Sequence, residues 1–277
     1  YKLQAIYIPF FRKSKFDFKG DDWAFFDHYE DEMGHFQIVK DDVPKTLDNG
    51  EFGVRGSGTV RNFDYAFCYF YTRSDLPALG TMSVSHLVPL PVSDATLRKL
   101  AQLSASANQP INISYDRVSV TGFEFETTLG GFGLRGEAGY FNKISFLTNT
   151  LQKVRKPVFQ YALGLDYSGQ EAFYVNLQFL QSFVIDYDDD ILFTRKTTSS
   201  AFGKITKGVF DDKLELGLRA YYNFSDKDYY WNPSATIKYW QNITFEVGAD
   251  ILGGAADTTM GLFRENDQLY GILRCFF

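Results

Sequence analysis

The sequence is poor in the residues that cross-link small domains or bind metals: among 277 residues there are 2 Cys, 3 His and 3 Met. Cys68 and Cys275 lie far apart, on strands that we do not expect to be neighbours, so we predict free thiols rather than a disulfide framework. His28, His35 and His86 are the sole imidazole bases, so few imidazole groups are available as a general acid or base. We therefore predict no enzyme activity, no catalytic residue, no cofactor and no metal site.

Long apolar runs and an excess of basic charge are also missing. The charged fraction is 22% and the mean hydropathy is −0.22, and no run approaches the roughly 18 apolar residues of a membrane-spanning helix. These values exclude a helical membrane protein. The net charge of −6 gives no basic surface for nucleic acid, so we expect no nucleic-acid partner.

Aromatic residues are abundant, at 18% of the chain with 28 Phe and 18 Tyr. That number exceeds what an ordinary core needs. Two aromatic girdles at membrane interfaces would accommodate it, because an amphipathic ring suits the boundary between hydrocarbon and headgroups. In a β-barrel only alternate residues face lipid, so mean hydropathy does not reveal the membrane segment.

A period of two runs through much of the sequence, as in KLELGLRAYYNFS at residues 213–225. Leu214, Leu216 and Leu218 alternate there with Glu215 and Arg219, which predicts a strand with one apolar and one polar face. The apolar face would point inward in a soluble sandwich and outward in an outer-membrane barrel. One strand does not decide between these arrangements.

Alternation and turn signals predict about a dozen strands, several long enough for a tilted membrane crossing of about 9–11 residues. Connections alternate between short turns, at 130–131, 168–171, 211–212 and 241–242, and longer loops at 142–157, 186–198 and 253–266. Short turns at one end and long loops at the other are typical of an up-and-down transmembrane barrel. The predicted strands are 2–11, 51–61, 64–72, 115–128, 132–141, 158–167, 172–185, 199–210, 213–225, 229–240, 243–252 and 267–277.

Three irregular features interrupt this pattern. Residues 19–50 and 73–113 lack alternation and are predicted as long loops, with a short helix in the second, capped by Ser93 or Asp94 and ending at Leu103. Near Gly122 the apolar positions change phase, which predicts a β-bulge.

The chain ends with LYGILRCFF, in which Leu269, Gly271, Leu273, Cys275 and Phe277 alternate. A last strand ending in Phe is similar to the terminal signature of bacterial outer-membrane barrels. Together with the turn asymmetry and the aromatic content, it favours an integral outer-membrane protein of a Gram-negative bacterium. We therefore predict that the apolar face of residues 213–225 contacts lipid.

Five stretches together resemble a family of porin-like, functionally uncharacterised outer-membrane proteins of proteobacteria. The resemblance implies a single barrel domain over residues 1–277 but no activity. Related proteins carry further strands before the segment YIPFF, so the resemblance also implies that Tyr1 is an internal start. The stretches are LQAIYIPFFRKSKFDF, FDYAFCYFYTRSDLPAL, YDRVSVTGFEFETTLGGFGLRGEAGYF, LTNTLQKVRKPVFQYALGLDY and GLFRENDQLYGILRCFF.

Charged residues of both signs occupy the predicted inward face. In a water-filled pore they would discriminate solutes by charge and size. Alternatively they pair across strands and fill the interior. The predicted pore-lining residues are Glu51, Arg55, Arg61, Arg135, Glu137, Asp166, Lys213, Glu215, Arg219, Lys238, Glu246, Asp250 and Arg274.

The sequence-based hypothesis is a porin-like channel for passive passage of small polar solutes. Its expected partners are outer-membrane lipid, lipopolysaccharide and the solute, with a protein partner left open. The alternative is a non-conducting barrel that serves as a scaffold or partner-binding component of an outer-membrane complex. A third hypothesis, a lipid-active enzyme, would depend on His86, near Ser83 and Ser85.

Two further patterns have simple interpretations. The acidic run DYDDD at 186–190 lacks the spacing of a preformed Ca²⁺ loop, so it is interpreted as a solvated loop, with ion bridging to lipopolysaccharide as a hypothesis. The Gly-rich stretches at 50–58 and 130–139 are not followed by a helical pattern, which argues against phosphate loops. Their small residues would let aromatic rings from adjacent strands pack over the backbone.

Overall fold

A computed structural model describes residues 1–14, 23, 38–40, 42–75, 77–80, 111–170, 172–192, 194–240, 242–256 and 258–276. Twelve strands form one antiparallel sheet, which confirms the all-β, up-and-down prediction. Its strands are β1 (Lys2–Ile8), β3 (Glu51–Val60), β4 (Phe63–Arg73), β7 (Arg117–Leu129), β8 (Phe132–Leu147), β9 (Lys153–Ser168), β10 (Tyr174–Val184), β11 (Thr197–Val209), β12 (Leu214–Asn223), β13 (Asp228–Trp240), β14 (Ile243–Gly253) and β15 (Gln268–Cys275).

The strands pair in the order β1-β3-β4-β7 and then consecutively from β8 to β15. No pairing joins β1 to β15 within the described strands, so the sheet is open between them. An even number of alternating strands makes these two edges antiparallel to each other. Among the described residues, no helix has the length and apolar character needed to cross a membrane.

A second, small sheet lies in the segments that the sequence predicted as long loops. It contains β2 (Ile38–Lys40), β5 (Ala78–Leu79) and β6 (Ile111–Ser114). Strand β6 pairs in parallel with β2 and antiparallel with β5. Parallel pairing links chain segments far apart in sequence, which local patterns do not reveal. The helix predicted up to Leu103 lies outside the described residues.

The connections are asymmetric, but one predicted loop is wrong. Strands β8 and β9 extend through most of residues 142–157 and are joined by the short connection 148–152. A register shift between Phe141 and Ile144 marks a bulge, after which pairing continues to Leu147 and Lys153. The bulge changes which side chains share a face, so simple alternation fails there.

The predicted bulge at Gly122 is also wrong. The register of β7 with β4 is unbroken from Arg117 to Thr127, and the register with β8 is unbroken from Val120 to Leu129. Val118 and Val120 therefore lie on the face opposite Phe123 and Phe125. The change in the sequence reflects an apolar patch on the polar face, not a shift of phase.

The apolar face of the sheet is exposed on β12. Leu216 and Leu218 are 47% and 38% exposed. Register places them beside Pro233 and Ala235 of β13, whereas Glu215 and Arg219 lie on the other face. This sidedness is the reverse of a soluble sandwich with a dry apolar core.

On the exposed face, aromatic residues flank aliphatic ones along individual strands. Strand β9 presents Phe159, Tyr161, Leu163, Leu165 and Tyr167 in that order, and Leu163 is 50% exposed. From Phe159 to Tyr167 an extended strand covers about 26 Å. That length is comparable to the apolar band of about 25 Å on outer-membrane barrels.

Glycines in the two Gly-rich stretches lie beneath aromatic rings, as predicted. A Cβ atom on Gly53 would lie 2.1 Å from Phe70, and one on Gly136 would lie 2.3 Å from Phe125. Both glycines sit in strands β3 and β8. A larger residue at either position would displace the ring from the strand surface.

Candidate functional site: the concave polar face

The polar face of the sheet is concave and borders an open cavity of about 790 Å³. Residues of seven strands line it, namely β1, β3, β4, β7, β8, β9 and β10. Charged lining residues include Arg55, Glu124, Glu126, Arg135 and Glu137. We call this side of the sheet the concave face.

Register places most predicted pore-lining residues on the concave face. They are Glu51, Arg55, Arg135, Glu137, Asp166, Glu215, Arg219, Lys238, Glu246, Asp250 and Arg274. Their role in lining a pore stays a prediction.

Two predicted pore-lining residues lie elsewhere. Arg61 is in the two-residue turn after β3, with a left-handed φ of 58°. Lys213 is in the turn before β12. Strand β3 ends one residue before Arg61, and β12 begins one residue after Lys213, so each residue lies in a turn and not in the predicted strand.

Glu51 faces inward but is buried, with 5% exposure. Its Oε1 accepts hydrogen bonds from the Thr72 hydroxyl at 2.5 Å and from the Arg73 backbone N–H at 2.8 Å. The carboxylate thus ties the ends of β3 and β4 together and does not line open space.

Ion pairs neutralise part of the concave face. The Arg55 guanidinium contacts Glu124, and Arg135 donates to Asp166 at 2.7 Å. Farther along the sheet, Lys238 contacts Glu215 at 2.5 Å. The Arg135 and Lys238 pairs join neighbouring strands, whereas the Arg55 pair reaches from β3 across β4 to β7.

A hydrogen-bonded network covers the concave face of β13–β15. Asp250 accepts from the Tyr230 hydroxyl at 2.6 Å, from Asn232 at 2.8 Å and from Gln268 at 2.7 Å. Next to it, Arg274 donates to Glu246 at 2.8 Å. Such satisfied networks hold side chains rigidly in place.

Sequence reasoning missed several charged residues of this face. Asp64, Glu124 and Glu126 alternate with aromatic residues of β4 and β7, and Lys204 of β11 is the direct partner of the predicted Arg219. The alternation of acids with Tyr65, Phe123 and Phe125 was a usable signal.

An apolar row crosses the concave face near the end that bears the long loops. Direct cross-strand partners form this row, which consists of Ile6, Gly53, Phe70, Val120, Phe141, Val158 and Val184. Beyond it, Ile113, Tyr115 and Val118 are 1%, 3% and 5% exposed. The concave face is therefore polar toward the short turns and packed toward the loops.

Asp116 anchors the segment between β6 and β7. One carboxylate oxygen contacts Lys153 and accepts from the Ser145 hydroxyl at 2.5 Å, and the other accepts from Arg155 at 3.0 Å. Burial alone would raise the pKa of this carboxyl, but the hydrogen bonds from Lys153 and Ser145 and the charges of Lys153 and Arg155 outweigh it. The pKa of Asp116 is consequently lowered from its ordinary value.

The acidic run 186–190 contacts β9 and the connection between β8 and β9. Asp188 pairs with Lys156 at 2.5 Å, and the Asp190 carbonyl accepts from the Asn149 N–H at 2.7 Å. Within the described part of the chain, no three acidic, histidine or cysteine side chains converge as metal ligands. Ion bridging to lipopolysaccharide remains a hypothesis.

Other predictions concern the cysteines and histidines. Cys68 and Cys275 are free thiols, as predicted. His28, His35 and His86 lie outside the described residues, so the hypothesis of a lipid-active enzyme stays untested.

No family model matches the chain, and no curated protein matches its sequence. Among solved structures, the chain is similar to the crystal structure of the Pseudomonas putida toluene transporter TodX. The sequence identity is 10% and the TM-score 0.32, over 74% of this chain and 68% of that chain. The resemblance to porin-like proteins stays a prediction.

Proposed function

We propose that this protein is an integral outer-membrane channel through which small polar solutes pass passively along the concave face. The observation that carries the proposal is the sidedness of the sheet. Leucines and aromatic rings occupy the exposed convex face, while charged residues and a cavity occupy the concave face. This arrangement is stable when hydrocarbon meets the convex face and water the concave one.

The convex face supports a membrane location. Large apolar side chains are exposed on all twelve strands of the main sheet, among them Leu3, Phe67, Leu177, Phe245 and Leu269. Contiguous apolar surface of that extent is rare on proteins that meet only water. Lipid tails would cover it without cost.

The concave face supports passage of polar solutes. Its cavity is lined by carboxylates, guanidinium groups and hydroxyls, including those of Glu137, Arg55 and Thr59. Charged and hydrogen-bonding walls replace part of a solute's hydration as it passes. Aliphatic lining is limited there to single residues such as Ala162.

Bilayer recordings test the proposal. The complete native protein, purified in detergent and shown to be folded by its heat-dependent gel mobility, is added to a planar lipid bilayer. We expect reproducible step increases in current in KCl. A folded protein that inserts without any current would contradict the channel proposal.

One observation favours the second candidate, a non-conducting scaffold. Ile113 and Tyr115 are buried at the loop end of the main sheet, where Arg73 of β4 donates to the Tyr115 carbonyl at 2.9 Å. Such packing would obstruct a permanently open pathway. The same recordings discriminate between the two functions, because a scaffold would insert silently.

A further inference from the structure

Three carboxylates on the concave face lack a cationic partner within the described residues. They are Asp64 of β4, Glu126 of β7 and Glu137 of β8. Asp64 accepts a hydrogen bond from the Thr59 hydroxyl at 2.5 Å, which leaves its charge uncompensated. All three line the cavity of about 790 Å³.

Strand register places these acids opposite other acids. Asp64 is the direct partner of Glu126, and Glu137 is the direct partner of Glu124. Like charges at directly opposed positions destabilise a sheet. The arrangement therefore costs free energy that a purely structural wall would avoid.

The two guanidinium groups that line the cavity form ion pairs with other carboxylates. Arg55 contacts Glu124, and Arg135 is the direct partner of Glu126 but donates to Asp166. Lys2, at the sheet edge, is the cavity's remaining basic residue. Three uncompensated carboxylates thus face one ammonium group in the cavity.

Further positive charge lies on different strands, where Arg219 interacts electrostatically with Glu246 and Asp250. Lys204 of β11 and Arg219 of β12 are direct partners on the concave face and lie outside the cavity lining. The Lys204 ammonium lies 5.7 Å from the centre of the Tyr174 ring. The two signs are therefore separated along the sheet and do not cancel within the cavity.

We propose that Asp64, Glu126 and Glu137 make the lumen selective for cations over anions, and that positively charged groups travel along the wall formed by β4, β7 and β8. This inference rests on the proposed channel function. Fixed charges beside confined water enrich ions of opposite sign. The carboxylates are spread along the wall and do not converge on one ion, so the favoured solutes are small monovalent cations, including organic ammonium compounds.

The test is the reversal potential of single channels under a KCl gradient. The wild-type protein should pass K⁺ in preference to Cl⁻. Glu126→Gln and Glu137→Gln should each lower the K⁺ to Cl⁻ permeability ratio by about fourfold, because removing one negative charge about 10 Å from the ion path in water disfavours K⁺ about twofold and favours Cl⁻ about twofold. Glu126→Asp should keep the wild-type ratio, because it preserves the charge.

Two further variants separate a local effect from a change of net charge. Glu265→Gln removes one negative charge from the exposed loop between β14 and β15 and should leave the ratio unchanged. Glu215→Gln removes an acid of β12 that lies outside the cavity lining and should therefore lower the ratio less than Glu137→Gln does. Heat-dependent gel mobility confirms folding of each variant before recording.

The outcomes distinguish the two proposals. A folded protein without current contradicts the channel function, and this inference falls with it. A channel that passes anions preferentially, or that keeps its ratio in Glu126→Gln and Glu137→Gln, contradicts the cation pathway alone. An equal shift in Glu265→Gln would assign selectivity to net charge and overturn the role of this wall.

Discussion

The concave face differs between its two ends. Toward the short turns it is charged and open, with Glu126, Arg135 and Glu137 around a cavity. Toward the loops the face is apolar, and Val158 and Val184 of the apolar row are buried there, as is the nearby Ile113. Both regions lie on the same side of the same strands, so burial depends on depth along the strand as well as on the face.

The two regions therefore contribute differently to the stability of the fold and to the proposed function. Apolar packing stabilises the fold through burial, whereas ion pairs on exposed walls contribute little net free energy. The packed end should therefore tolerate substitution poorly. Substitutions at the charged end should change the free energy of unfolding little. They should instead alter the passage of ions through the proposed channel.

The largest expected effect comes from placing a charge in the apolar row. Val158→Asp should lower the free energy of unfolding by about 3 kcal/mol or more, because it buries a carboxylate without a partner. Its matched control is Gln160→Asp, two residues along β9 on the same face but exposed. Urea titration of the protein folded in lipid vesicles measures both. Equal losses of unfolding free energy in the two variants would show that the two ends of the concave face do not differ in packing.

Truncation of a buried apolar side chain should have the next largest effect. Ile113→Ala should cost about 2 to 4 kcal/mol locally, since Ile113 is fully buried. Faster proteolysis of the segment around β6 would report the loss. Ile205→Ala, on the exposed convex face, provides the comparison and should leave proteolysis nearly unchanged. Similar cleavage rates in both variants would contradict the burial of Ile113.

The Asp116 anchor should contribute a smaller, pH-dependent effect. At pH 7 Asp116→Asn should loosen the segment between β6 and β7 by about 1 to 2 kcal/mol, because it loses hydrogen bonds to charged groups. A carboxyl with a lowered pKa stabilises the folded state above its unfolded pKa and loses that contribution as pH falls through the folded value.

Limited proteolysis across pH tests this anchor. Wild type and Asp116→Asn should differ clearly at neutral pH and become alike at pH below the ordinary range of an aspartate. A difference that stays constant over the whole pH range would contradict an ionised Asp116.

The smallest stability effect is expected in the charged region. Arg135→Gln breaks the pair with Asp166, in which the arginine side chain is 49% exposed. Partly exposed pairs are worth about 0 to 1 kcal/mol. Urea titration should therefore show nearly wild-type unfolding, while channel conductance changes. A loss as large as that of Val158→Asp would assign a structural role to the charged wall.

Some of this architecture followed from local patterns. Alternation in KLELGLRAYYNFS placed Leu216 and Glu215 on opposite faces, and the structure agrees. The same rule failed at Gly122, where Val118 and Val120 suggested a bulge. Apolar residues on a face that is otherwise polar mimic a change of phase, so sequence alone could not separate the two causes.

The sequence by itself determined the class of sheet, the approximate strand number and the face of residues in regularly paired stretches such as 214–223, because a period of two is a local property of an extended chain. Only the tertiary structure decided which residues are neighbours across strands. Register between distant segments set Asp64 against Glu126, aligned Phe70 with Val120 and assigned Arg135 to Asp166. These pairings depend on contacts between strands, which no short stretch of sequence contains.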